Sequence, residues 1–219
     1  MILKATTLLI LMLVGPCAAQ SANESGLIKT KRLLERYHRE TISAVMTAPA
    51  DSAVQEIAQL KPTAELRTLY DRHDPTVLIL GSFWANVCQA VEPGMCEPGL
   101  IRDLKHSDAR VKAFACDNLG ILKPPSAVAP LTEALKDRAE VPGYLGKPDV
   151  ASFAAQALAA FGYADGIDSM LAHAAREGDE WYVTYERTFQ QLSGQKLPRD
   201  LKLWRKWFQD HKATLKYAP

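Results

Sequence analysis

The 219-residue sequence predicts an all-α protein built from repeated helix pairs, and three observations carry that prediction. A stretch beginning at Leu66 recurs from Leu100 and again, after an insertion, around Phe153. Within the recurring stretches apolar residues fall every fourth position, the spacing of one helix face. Nothing reads as a strand with its own alternating pattern; the nearest candidate, Val77-Leu-Ile-Leu80, lies inside a recurring stretch that aligns as helix.

In chain order, the first element is an export signal over residues 1–19. Met1-Ile2-Leu3-Lys4 leads into an apolar run from Ala5 to Val14; Gly15-Pro16 breaks it, and Cys17-Ala18-Ala19 places small residues where a signal peptidase reads. The run is half the roughly 20 residues of a membrane span, so no stable span is expected. Cleavage after Ala19 leaves Gln20 first, and with Lys4 removed the 26 Lys and Arg and 25 Asp and Glu of the chain come into balance. Cys17 also invites a lipoprotein reading, which Pro16 opposes, because a small residue is expected there. Without a cationic surplus to displace counterions, nucleic acid is not an expected partner. The expected location is periplasmic or secreted.

Residues 20–61 form N-terminal capping helices, the clearest being Leu27 to Met46, with Leu27, Leu34, Tyr37 and Val45 on one side and Lys29, Arg32, Arg36 and Arg39 elsewhere. The repeats occupy 62–194. Leu66 falls on Leu100, Tyr70 on Leu104, Asp74 on Asp108, Val77 on Val111 and Gly81 on Ala115; Val111, Ala115 and Leu119 in turn fall on Phe153, Ala157 and Phe161. Asp74 and Ser107-Asp108 suit helix N-caps. Gly120 and Gly162 are placed where helices end. A second helix follows each, Ser126 to Lys136 and Asp165 to Arg176, so the unit is a helical hairpin. An inserted loop, Ala139 to Lys147, interrupts the period, and a degraded copy runs from Trp181 to Gly194. Residues 195–219 supply a C-terminal capping helix, marked by Leu201, Trp204, Phe208 and Leu215.

The pattern Asp108-Ala-Arg-Val111, Ala115, Leu119-Gly120, Ala127-Val128, Leu131 and Leu135-Lys-Asp137 resembles the HEAT-like repeat, in the short form also found in phycobilin lyases. Leu192-Ser-Gly194 before Pro198 and Trp204-Arg-Lys-Trp207 resembles the close of bacterial members of that family. The resemblance spans residues 62 to 194 and is best from 98 to 176. It implies stacked antiparallel helix pairs in a curved solenoid, the second helix of each pair on the concave side. The family's usual Arg after the valine is Lys112 here and is absent from the Phe153 unit.

Of the cysteines beyond Cys17, Cys88 and Cys96 flank the turn signal Val91-Glu92-Pro93-Gly94; they fit a disulfide in an oxidising compartment, or two independent buried thiols. Cys116, among Ala113, Ala115 and Gly120, reads as a small structural side chain. His38, His73, His106, His173 and His211 are scattered, without metal-ligand spacing, so no metal and no cofactor is expected. Asp71-Arg72-His73-Asp74 reads as a helix corner, and Glu177 with Asp179-Glu180 as a helix start. No nucleophile elbow or phosphate-binding loop is present, and no enzymatic activity is expected.

The expected role is therefore an exported scaffold or adaptor that binds another protein: an assembly factor, an inhibitor or immunity protein, or an accessory subunit. Glu133, Lys136 and Arg138 are its candidate orienting charges. Tyr144 and Leu145, at the tip of the inserted loop, are candidate contacts, since loops carry function more often than scaffolds do. The alternative is a carrier holding a lipid or tetrapyrrole in the concave groove.

Overall fold

The structure, a computed structural model, describes residues 25–41, 51–144, 147–178 and 181–219. The expected export signal, with Cys17, Ala19 and Gln20, lies outside the described residues, as do Val45, Leu145 and Asp179-Glu180. Among the described residues the chain is all-helical, with 72% helix and no strand. Among the described residues no helix is long and apolar enough to cross a membrane. Helix α1 covers 25–41. It is followed by α2 Asp51–Leu60, α3 Thr63–Asp71, α4 Pro75–Leu78, α5 Trp84–Val91, α6 Glu97–Asp103, α7 Ala109–Leu122, α8 Val128–Ala134, α9 Val150–Ala160, α10 Ile167–Glu177, α11 Trp181–Ser193 and α12 Leu201–His211. The chain divides into two compact units: residues up to Leu80 with Asn86–Met95, and Gly81–Ala85 with Cys96–Pro219.

The first unit buries Leu34 and Tyr37 of α1, Ile57 of α2, Leu66 and Leu69 of α3, Val77 of α4 and Val87 of α5. Polar ties fix its helices. Arg36 meets Glu56 at 2.6 Å, and Asn86 donates to the Tyr37 hydroxyl at 3.3 Å. Asp74 accepts from the Thr76 amide at 3.0 Å as the N-cap of α4, the role expected of it, and pairs with Lys31 at 2.5 Å. Helix α4 is only four residues long, so Val77 to Leu80 do not sit in a full repeat helix. Gly81, at φ +55°, turns the chain before α5 begins. Cys88 and Cys96 stand at disulfide distance. The turn between them is closed by the Met95 amide donating to the Glu92 carbonyl at 3.1 Å.

The second unit is organised around α9, which packs against α7, α8, α10 and α11. Contact on so many sides explains its composition: Ala151, Ala154, Ala155, Ala157 and Ala159 are buried, and small side chains let several neighbours approach. Asp108 caps α7, accepting from the Arg110 amide at 2.8 Å, as expected. Gly120 differs from its expected place at a helix end. Helix α7 runs on to Leu122, and Lys123 takes the left-handed cap conformation at φ 52°. Gly120 instead marks a crossing, because a Cβ there would stand 3.0 Å from the Ala157 Cα. Gly162, at φ +87° just past α9, does end a helix. Asn118 is fully buried; it accepts from the Ala85 amide at 2.7 Å and donates to the Phe114 and Gly81 carbonyls at 2.8 and 3.1 Å. At the far end Trp181, Tyr185 and Phe189 of α11 form one aromatic core with Trp204 and Phe208 of α12.

Candidate functional site

Residues 135–144 and 147–149 leave the helical pattern and form a loop of the second unit. Its neck is closed by backbone hydrogen bonds: the Val141 amide donates to the Pro148 carbonyl at 2.8 Å, Val150 to Ala139 at 3.0 Å and Ala151 to Asp137 at 2.9 Å. Glu140 and Asp149 form an isolated antiparallel bridge there. Val141 is buried beneath the neck.

Charges brace the same neck. Asp137 takes the Lys112 ammonium of α7 at 2.5 Å and the Ala139 amide at 2.9 Å. Burial opposes its ionisation and the neighbouring Asp149 charge adds to that, yet the bonds from Lys112 and Ala139 prevail and hold its pKa below the usual carboxylate value. Asp149 caps α9, accepting from the Ser152 amide at 2.9 Å and the Ser152 hydroxyl at 2.6 Å. Arg138 donates to Asp149 at 3.2 Å and to the Ser169 hydroxyl of α10 at 2.7 Å. Here too burial resists ionisation, and the Ser152 and Arg138 contacts outweigh it, so the Asp149 pKa is lowered.

Beyond the neck, Pro142-Gly143 carries the chain outward, Gly143 at φ +90°. The Tyr144 ring then returns to sit edge-on against Phe153 of α9, 5.1 Å between centroids at 75°. Phe153 is buried, whereas Tyr144 is 49% exposed, so an aromatic face is held open to solvent by a buried partner.

Asp117 lies within α7. Burial raises the Tyr144 hydroxyl pKa, and the Asp117 charge adds to it. The Asp117 side chain is only partly open to solvent, and no hydrogen bond or ion pair reaches its carboxyl among the described residues. Burial alone pushes its pKa up to about 7. One helical turn on, at the position that shares its face, Ile121 is 41% exposed.

The five residues expected to bind a partner are thus placed differently from one another. Glu133 and Lys136 are exposed and pair with each other at 2.7 Å. Arg138 is committed to Asp149 and Ser169. Tyr144 is displayed at the loop tip, and Leu145 lies outside the described residues. Asp117 was not singled out by the sequence; its only signal is an acid within the buried run Phe114-Ala-Cys-Asp-Asn-Leu119. Cys116 beside it is buried and unpaired, its thiol pKa pushed well up by burial first and by the Asp117 and Asp137 charges after that, which leaves it an inert packing residue.

Elsewhere in the unit a groove of 290 Å³ runs between α10 and α12, lined by Ile167, Leu171 and Phe208 with Asp168, Arg205 and Lys212 at its edges. That volume is at the bottom of the range for small-molecule sites. Among the described residues no group of His, Cys, Asp and Glu is arranged to hold a metal ion. The chain matches no family model, no curated protein and no solved structure.

Proposed function

We propose that this protein is an exported, HEAT-like helical-repeat module that binds another protein through the surface centred on the 139–149 loop. The observation that carries the reading is the loop itself: a zipped, ion-braced neck presenting a half-exposed tyrosine on a buried phenylalanine. A braced loop loses little freedom on association, so its aromatic anchor is available for affinity at low entropic cost, and tyrosine is prominent among interface hot spots. The repeat reading is supported by α7 and α9, each opened by an aspartate cap and packed on one another at Gly120 and Ala157. Stacked helix pairs of that kind would put the second helices on one face as a solenoid. Export through residues 1–19 is supported by the Cys88–Cys96 pair, since disulfides persist in oxidising compartments. No catalysis is part of the proposal.

The test is affinity capture of the purified protein from envelope extract with quantitative mass spectrometry, repeated with Tyr144→Ala plus Leu145→Ala. One saturable protein partner, retained at least about ten-fold less by the variant, is expected for a loop hot spot. Undiminished capture by the variant removes the loop from the binding surface. A retained lipid or tetrapyrrole in place of any protein would replace this reading with the carrier alternative.

A further inference from the structure

The groove between α10 and α12 brings an apolar floor and a charged rim to one opening. Ile167 and Leu171, which share a face of α10, form its base with Phe208 of α12. Asp168 and Ala172 line the α10 edge, and Arg205, Gln209 and Lys212 line the α12 edge. The last three follow one another at helical spacing and so lie along one side of that element. The rim is unbalanced in charge. Asp168 pairs with Lys212 at 3.3 Å, but both side chains are largely exposed, and an ion pair so open to water contributes little. Lys206, off the groove on the same helix, is matched by Asp210 at 2.8 Å. Arg205, which is exposed, has no hydrogen bond, ion pair or ring partner among the described residues. Two cations thus face one acid over an apolar floor, a surplus of one positive charge. The volume of 290 Å³ admits one short apolar body, not a long acyl chain or a tetrapyrrole. Both walls are helices, and neither presents a strand edge along which a peptide main chain could pair.

We propose that this groove binds a small amphiphilic anion, a short alkyl carboxylate, with its chain on Ile167, Leu171 and Phe208 and its carboxylate on Arg205. A guanidinium meets a carboxylate through two parallel N–H donors, a fit that an ammonium lacks. Gln209 and Lys212 flank that contact, the first with an amide donor. Lys212 can turn to the ligand at little cost because its pair with Asp168 is exposed. Asp168, on the facing edge, opposes a second negative charge, so the site selects a monoanion. Each methylene that leaves water for the floor adds to affinity. The proposal does not rest on the protein-binding reading, which concerns the 139–149 loop.

The experiment is a titration of the isotope-labelled protein with sodium octanoate, followed by NMR. Octanol supplies the chain without the charge, octylamine the opposite charge, and acetate the head without the chain. Saturable shifts confined to residues around 167–172 and 205–212 are expected, with octanoate bound at least about ten-fold more tightly than octanol or acetate. Arg205→Gln changes an exposed side chain that no fold contact uses. It is expected to remove most of the preference over octanol, and Arg205→Lys to keep only part of it. Ala172→Leu fills the groove from its exposed edge with every charge left in place, and is expected to weaken octanoate and octanol alike. Octanol or octylamine bound as tightly as octanoate, or an undiminished preference in Arg205→Gln, overturns the proposal. So do shifts that spread over the surface without saturating, the mark of detergent-like contact. Nα-acetyl-alanyl-leucine with a free carboxylate is the remaining arm. If it displaces octanoate and binds at least about ten-fold more tightly, the groove receives a peptide C-terminus and the assignment to a free alkyl carboxylate falls.

Discussion

Asp117 connects a single side chain to the pH response of the whole fold. Unfolded, its carboxyl titrates near 4; folded, burial moves it to about 7. Between those values the native state holds a proton that the unfolded chain has already released. Stability therefore falls as pH rises through that window and levels off above it. The loss attributable to this group is of order 2–4 kcal/mol. Asp117→Asn removes the ionisation while keeping the shape. Urea denaturation should find the variant more stable than the parent at pH 8, with the difference shrinking towards pH 5. A difference that does not change with pH would mean that the carboxyl is well solvated and that its strain has been misread. The groups its charge touches do not confuse the comparison: Cys116 is pushed well up, and the Tyr144 hydroxyl is raised from an already alkaline value.

At the scale of the element, two short segments set how neighbouring helices meet. Gly166 precedes α10, and a Cβ there would come within 2.0 Å of the Ala155 Cβ and 2.7 Å of the Ala155 Cα on α9. Backbone cannot yield as a flexible side chain can, so Gly166→Ala should cost roughly 1–3 kcal/mol by forcing α10 away from α9. Thermal unfolding would read this directly, and an unchanged melting temperature would show that the turn relaxes freely. The Cys88–Cys96 pair closes a short loop, and Cys96→Ser should cost roughly 2–3 kcal/mol through the unfolded chain. Reducing agent should lower the parent's stability by a similar amount and leave the variant's unaltered; equal sensitivity in both would deny the bond.

These elements also show what the sequence could reveal. The caps at Asp74 and Asp108 were legible because an aspartate before an apolar helical run has a local cause. The Cys88–Cys96 pair was legible from the turn between them. Asp149 was not, because Lys147-Pro148-Asp149 reads as the tail of an insertion until Ser152 and Arg138 are seen beside it. Gly120 was misplaced because glycine serves equally as a helix stop and as a close crossing, and only the position of Ala157 separates the two. Asp117 left no periodic mark. Its raised pKa comes from burial, which is set by packing between helices that no local pattern encodes.

Across the second unit, the packing makes a prediction about cooperativity. Helix α9 leans on α7 and α8 on one side of the sequence and on α10 and α11 on the other, while α12 packs on α10. If this succession is a stack of repeats, each helix pair is stabilised by its neighbours alone, and damage at one end stays near that end. Phe189 is the place to inflict it. The ring is fully buried and lies 5.4 to 5.9 Å from Phe208, Trp204, Trp181 and Tyr185, so Phe189→Ala removes the centre of the aromatic cluster at a cost of about 3–5 kcal/mol. Native-state hydrogen exchange should then show amides of α10, α11 and α12 losing protection by a large factor, while those of α6, α7 and α8 stay close to the parent values. Loss of protection to the same degree from α6 through α12 would instead identify a single cooperative core. The HEAT-like description of this unit would then have to be given up in favour of an irregular helical bundle.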